Sequence, residues 1–267
     1  MNIAVIGCGN MASAVVENLY LNNKNVNFYT YTPSKTRAID LATKVDGKAL
    51  ESLELFKDVD IDFWLLGFKP QQLKDFSLEF SQNFKDQTII SMLAATSVSS
   101  LSHSLRSKNI IRIMPNTPIR VNSGITLFYS DTDTDKNIEK AAQKLFSNSG
   151  LIEAKDEKQL DLLTTFSGCG PAYIYLFADT LFQKMQSLGF DNEQATKLIK
   201  DLFMGSSSLM MAQDLSFNEL LNQVTSKAGV TIEAINEYKS SSLNEITSRA
   251  IDKAIARTEQ INQEINK

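Results

Sequence analysis

The chain has 267 residues and 43% hydrophobic content, ample for a packed core and incompatible with general disorder. Its 27 Lys and Arg stand against 31 Asp and Glu, so it lacks the basic excess that attracts a phosphate backbone, which argues against a nucleic-acid partner. Cys8 and Cys169 lie far apart among small residues. That spacing suits neither a disulfide framework nor a metal site, and a reducing cytoplasm is expected.

The first sixteen residues are uncharged but carry no basic segment, and glycines interrupt their apolar run. Leu162 to Ala178 is likewise interrupted by Gly168, Gly170 and Pro171. No membrane segment is expected from either.

In chain order, the first predicted strand is Ile3-Ala4-Val5-Ile6, followed at once by Gly7-Cys8-Gly9-Asn10-Met11-Ala12 opening a helix. A strand, a glycine turn and a helix start form the context of a dinucleotide site. Gly7 and Gly9 let the backbone approach a pyrophosphate, and the free N–H groups and positive dipole end of the helix stabilise it. The third glycine of the strict pattern is missing.

A second strand, Val26-Asn27-Phe28-Tyr29, leads into Thr30-Tyr31-Thr32-Pro33-Ser34-Lys35-Thr36-Arg37. An acid here would bind the ribose hydroxyls of NAD. Hydroxyls and two cations stand there instead, a set suited to a 2′-phosphate. The expected cofactor is therefore NADP(H), with NAD(H) also admitted, and Ser34 and Lys35 are candidate contacts.

Phe63-Trp64-Leu65-Leu66 is the next strand, and Gly67-Phe68-Lys69-Pro70 follows at the sheet edge where ligands bind in open α/β folds. Further strands are expected at Thr88–Ser91, Ile110–Ile113, Ile125–Phe128 and Leu151–Glu153. The loop Met114-Pro115-Asn116-Thr117-Pro118 is rigid and extended, with Asn116 able to bond a carboxamide or ribose. The one histidine, His103, lies in a polar stretch and reads as a surface residue.

This strand–helix rhythm predicts an α/β, Rossmann-type N-terminal domain over residues 1–155. Beyond Pro171 no proline occurs and glycines are few, so an all-α C-terminal domain is expected over 156–267. Its apolar stripes are Ile174, Phe177, Leu181, Met185 and Leu188, then Leu198, Ile199, Leu202 and Phe203, then Ile246, Ala250, Ile251, Ala254 and Ile255. Such stripes on a small domain suit packing against a second copy, and a homodimer through this domain, or a higher oligomer built on it, is expected. Two small-residue segments complete it. Ser167-Gly168-Cys169-Gly170-Pro171-Ala172-Tyr173 precedes a helix, and Thr225-Ser226-Lys227-Ala228-Gly229-Val230-Thr231 is a loop at a helix N-terminus that would suit a small carboxylate, although capping alone explains Ser226 or Thr225 equally.

Together, Gly7-x-Gly9-x-Met11-Ala12, Lys69-Pro70-Gln71, Met114–Pro118, Ser167–Tyr173 and the 226–231 segment resemble the pyrroline-5-carboxylate reductase family in order and approximate spacing. The resemblance covers nearly the whole chain. It implies reduction of a cyclic imino acid to proline, the last step of proline biosynthesis, with the imine held at a subunit interface. It further implies that Thr231 bonds the ring nitrogen, as the catalytic residue, while Ser226, Ala228, Gly229 and Val230 hold the carboxylate. Asn116, Lys69, Pro70 and Ala94 would line the nicotinamide half, and Gly7, Gly9, Asn10, Met11, Ser34 and Lys35 the phosphates. No metal is implied. Two glycines of the family pattern are absent: Ser-Pro-Gly-Gly-Thr-Thr reads Ser226-Lys227-Ala228-Gly229-Val230-Thr231, and Ala-Gly reads Ala94-Ala95.

Two other readings compete. One is a related imine or 3-hydroxyacid oxidoreductase; the hydroxyacid enzymes place a catalytic lysine in their helical domain, where Lys184 and Lys197 stand on helices and not in small-residue loops. A dinucleotide-sensing module without turnover would follow if Lys227 and Ala228 disable the loop.

Overall fold

The computed structural model describes residues 1–227 and 229–265, with Asn83 and Ile265 described by backbone alone. An eight-stranded sheet organises the first half. Its strands are β1 (Asn2–Ile6), β2 (Asn27–Tyr31), β3 (Lys48–Ala49), β4 (Phe63–Leu66), β5 (Ile89–Ser91), β6 (Ile110–Pro115), β7 (Thr126–Ser130) and β8 (Leu151–Glu153). They lie in the order β3-β2-β1-β4-β5-β6-β7-β8. Every neighbouring pair is parallel except β6 and β7, which join through a turn at Thr117–Val121 and run antiparallel.

The strands read as continuous apolar runs because both faces are covered. Ile3, Val5, Phe63 and Leu65 point to one core with Val15, Leu19 and Phe146. Their sequence neighbours Ala4, Ile6, Trp64 and Leu66 point to the other with Phe80, Leu101 and Leu105. Trp64 anchors that second core, its ring centroid 4.6–5.1 Å from those of Phe56, Phe80 and Phe84. Its indole N–H donates to Gln87 Oε1 at 3.0 Å, so the buried ring leaves no polar atom unsatisfied.

The covering helices are α1 (Asn10–Asn22), α2 (Thr36–Lys44), α3 (Leu73–Asn83), α4 (Val98–Leu105), α5 (Lys136–Phe146) and α6 (Glu157–Ser167). The strand order reverses between β1 and β4, which puts the topological switch point between the Gly7 and Gly67 turns. The sequence pattern passes over β3, whose two residues are too few to show a period.

The helices that follow are α7 (Gly170–Ser187), α8 (Asn192–Ala212), α9 (Phe217–Gln223), α10 (Val230–Ser240) and α11 (Leu243–Ile265). Two compact units result: residues 1–171 with 254–267, and residues 172–253. Within the second unit only Ala195 and Ile199 are buried among the described residues. The first two predicted stripes are largely uncovered helical faces: Ile199 is buried, but Ile174, Phe177, Leu198 and Leu202 remain about half exposed. A face of that kind needs another chain or another element to cover it. No described helix is long and apolar enough to cross a membrane.

Candidate active site

The Gly7 turn is built by steric necessity. Gly7 adopts φ +88°, and its N–H donates to Tyr31 O at 2.8 Å, tying the ends of β1 and β2. A Cβ on Gly7 would lie 2.6 Å from the Phe68 nitrogen, so only glycine lets the two switch-point turns close on each other. Gly9 caps α1 in extended backbone with no side-chain hydrogen bond, leaving the first N–H groups of that helix open. A Cβ there would meet nothing nearer than Gly67 O at 3.9 Å, so its side remains free for a ligand.

A cleft of about 640 Å³ opens from these turns, lined by Gly7, Gly9, Tyr31, Arg37, Lys69 and Phe76 among others. A second recess of about 360 Å³ lies beside it, lined by Cys8, Asn10, Ser13, Arg37 and Arg120. Arg120 donates to Asn10 O at 3.1 Å, fastening the Thr117–Val121 turn to the start of α1. Arg37 borders both spaces, and no ion pair to it is seen among the described residues. Lys35, in contrast, pairs with Glu51 at 3.4 Å in the open, and neither Lys35 nor Ser34 lines the cleft. Burial, followed by the charge of Glu79, raises the Tyr31 phenol above its ordinary value. Burial also pushes the Cys8 thiol up to about 12, against a smaller opposing pull from the Tyr31 backbone, which makes it a poor nucleophile.

The loops expected on the nicotinamide side are more varied. Lys69 is exposed and lines the cleft, whereas Pro70 borders a separate trough with Thr96 and His103. Ala94 is exposed. Asn116 is buried with both ends of its carboxamide engaged: Nδ2 donates to Ser167 O at 3.0 Å and Oδ1 accepts from Ile125 N at 2.8 Å. Its side chain therefore holds its loop to the end of α6, with one amide N–H spent on Ser167 O and its oxygen on Ile125. Met11 is half-buried in the first turn of α1.

Ala95 holds φ +56°, the left-handed conformation that a glycine would adopt without strain. The chain has kept the turn and lost the residue suited to it. Ala95→Gly is expected to stabilise the protein by about 0.5–1 kcal/mol, a rise in melting temperature of about 1–2 °C. Calorimetry checks this, and an unchanged or lower melting temperature would show that the turn is unstrained.

In the second unit, Gly229 caps α10 in extended backbone with no side-chain hydrogen bond, so the N–H groups of Val230 and Thr231 are open. Val230 is 92% exposed. Thr231 is exposed in the first helical turn, where no preceding helical carbonyl exists to take its hydroxyl proton. Other helical threonines do make that bond, as Thr164 does to Leu160 O at 2.7 Å. The Gly229 N–H donates to Ser226 O at 3.1 Å, closing the loop, and Ser226 and Lys227 are exposed. Ala228 lies outside the described residues.

With this geometry in view, the relatives are informative. Residues 157–261 match the family model for pyrroline-5-carboxylate reductase dimerisation, and residues 2–95 match that for coenzyme F420-dependent NADP oxidoreductases. A pyrroline-5-carboxylate reductase of Aquifex aeolicus is 30% identical over 240 residues, covering 88% of each chain. The chain belongs to the pyrroline-5-carboxylate reductase family. Another reductase of that name, from Vibrio alginolyticus, is 28% identical over 97% of each chain. The solved structure of a Coxiella burnetii pyrroline-5-carboxylate reductase superposes with a TM-score of 0.87 at 26% identity, covering 97% of this chain and 98% of that one. A Plasmodium falciparum pyrroline carboxylate reductase solved with NADP bound has the same fold, with a TM-score of 0.84 at 23% identity over 98% of each chain. The Rossmann-type half and the helical half expected from the sequence are thus the architecture of the family.

Proposed function

We infer that the chain reduces 1-pyrroline-5-carboxylate to L-proline with NADPH, NADH also serving, as the final step of proline biosynthesis. The observation that carries the reading is a glycine-lined cleft at the sheet's switch point in a chain that matches reductases of this activity over nearly its whole length. The bound dinucleotide supplies the hydride. Gly7 and Gly9 leave room for its pyrophosphate, and the open N–H groups at Asn10 and Met11 take up the negative charge. Arg37 is the cation best placed for a 2′-phosphate, with Ser34 and Lys35 as outer contacts. Lys69, Pro70 and Ala94 border the nicotinamide half, and Asn116 shapes it through its loop.

Ser226, Ala228, Gly229 and Val230 hold the substrate carboxylate at the start of α10, where backbone N–H groups and the helix dipole favour an anion. The Thr231 hydroxyl bonds the ring nitrogen. A protonated imine carries its positive charge before the hydride arrives, so no histidine near neutral pH is required. That agrees with a lone His103 that is exposed and borders only the trough. Residues 1–155 serve as the cofactor half and 156–267 as the substrate and dimerisation half, working in the cytoplasm as a homodimer through the helices.

The test is a spectrophotometric assay with pyrroline-5-carboxylate and, in parallel, NADPH and NADH. Cofactor oxidation with a lower KM for NADPH is expected. Arg37→Met should raise the NADPH KM about tenfold or more while moving the NADH KM little, since one charge-assisted contact to phosphate is worth about 1.5–3 kcal/mol. Cofactor binding without oxidation at any pH would sustain the sensing module instead.

A further inference from the structure

Arg112 is the only charged residue fully buried among the described residues, and the reaction as read above makes no use of it. It sits in the middle of β6, 1% exposed. Its Nη1 donates to Glu157 Oε1 at 2.6 Å and its Nη2 to Asp161 Oδ1 at 3.3 Å, the two carboxylates standing one turn apart on α6. Each carboxylate reaches a further element. Glu157 Oε1 also accepts the Val98 N–H at 2.9 Å, at the start of α4, and Asp161 Oδ2 accepts from Asn262 Nδ2 at 2.9 Å, near the end of α11.

One guanidinium thereby holds four elements in register. β6 runs from Arg112 into Pro115 and Asn116, and α4 is entered directly from the Ala94–Ser97 loop, so both loops assigned to the nicotinamide half hang from this cluster. Hydrophobic packing could fasten α6 to the sheet equally well, because a buried ion pair is weak as a source of stability. What the fork adds is direction: two fixed bonds to two carboxylates set the angle of α6 and, through it, the two loops.

We propose that Arg112 is a positioning residue for hydride transfer, fixing the 94–97 and 114–117 loops through Glu157 and Asp161 and coupling them to the end of α11 through Asn262. The proposal rests on the cofactor assignment above. Because the phosphates are gripped elsewhere, disturbing the cluster affects the alignment of the reacting groups more than cofactor affinity.

The test uses two variants of the full chain. R112K keeps the charge and loses the fork, and N262A removes a side chain on α11 that is remote in sequence from both loops. Each is expected to lower kcat about tenfold with the NADPH Kd, read by nicotinamide fluorescence, within about twofold of the original. Amide hydrogen exchange at 94–98 and 113–117 should speed up about tenfold in both. Unchanged exchange at the two loops, whatever happens to the melting temperature, would overturn the proposal. If R112K fails to fold, N262A decides. If the unmodified protein oxidises no NADPH with the imine, the assigned function falls while the exchange measurement still decides this coupling.

Discussion

Gly9→Ala is expected to fold like the original chain and to lose about a hundredfold in NADPH affinity, about 2.7 kcal/mol. The backbone at Gly9 is ordinary extended geometry, φ −76° and ψ 175°, which alanine adopts freely, and an added Cβ meets only Gly67 O at 3.9 Å. Within the protein the methyl group is harmless. It does, however, project at the mouth of α1, where a pyrophosphate must approach the open N–H groups. Gly7→Ala should behave differently: at φ +88° the backbone alone costs about 1–2 kcal/mol, and its Cβ would lie 2.6–2.9 Å from Phe68 and Gly67 atoms. That variant is expected to melt at lower temperature before binding is even considered. Calorimetric titration with NADPH alongside differential scanning calorimetry separates the two. Gly9→Ala binding NADPH like the original chain would remove the pyrophosphate from this turn.

The contrast between these glycines shows what a sequence displays and what it conceals. β1 and β4 are legible because strands buried on both faces must be apolar throughout, and Gly7-x-Gly9 after such a strand leaves little choice of turn. Lys35 and Arg37 are not so easily told apart. Both are cations after β2, yet in the folded chain Lys35 pairs with Glu51 while Arg37 lines the cleft. Phe76 and Glu79, which line the cleft from α3, belong to a helical pattern whose faces cannot be assigned until the crossover is placed. Asn116 illustrates the opposite case. Its position in the family pattern is clear, yet the partners of its carboxamide lie 9 and 51 residues away in sequence, beyond any local pattern. The apolar stripes of α7 and α8 were readable as faces. Their exposure in the single chain points to a covering partner, in agreement with the match to a dimerisation family over 157–261.

Thr231→Val is expected to lower kcat about a hundredfold at constant melting temperature, because a hydrogen bond to the reacting nitrogen is lost while volume and branching stay the same. Thr231 stands in the first turn of α10, and among the described residues no group takes up its hydroxyl, so the substitution breaks no bond seen among them. A hydroxyl with no partner among the described residues, next to N–H groups suited to a carboxylate, is placed to serve a ring that carries an acid group beside its nitrogen. Thr231→Ser, which retains the hydroxyl, should recover most of the rate, with the remaining loss due to its freer rotamer. The discriminating quantity is the split between constants. If the valine variant raised KM and left kcat unchanged, the hydroxyl would act in ground-state binding alone, and the proton at the ring nitrogen would have to be held by another group.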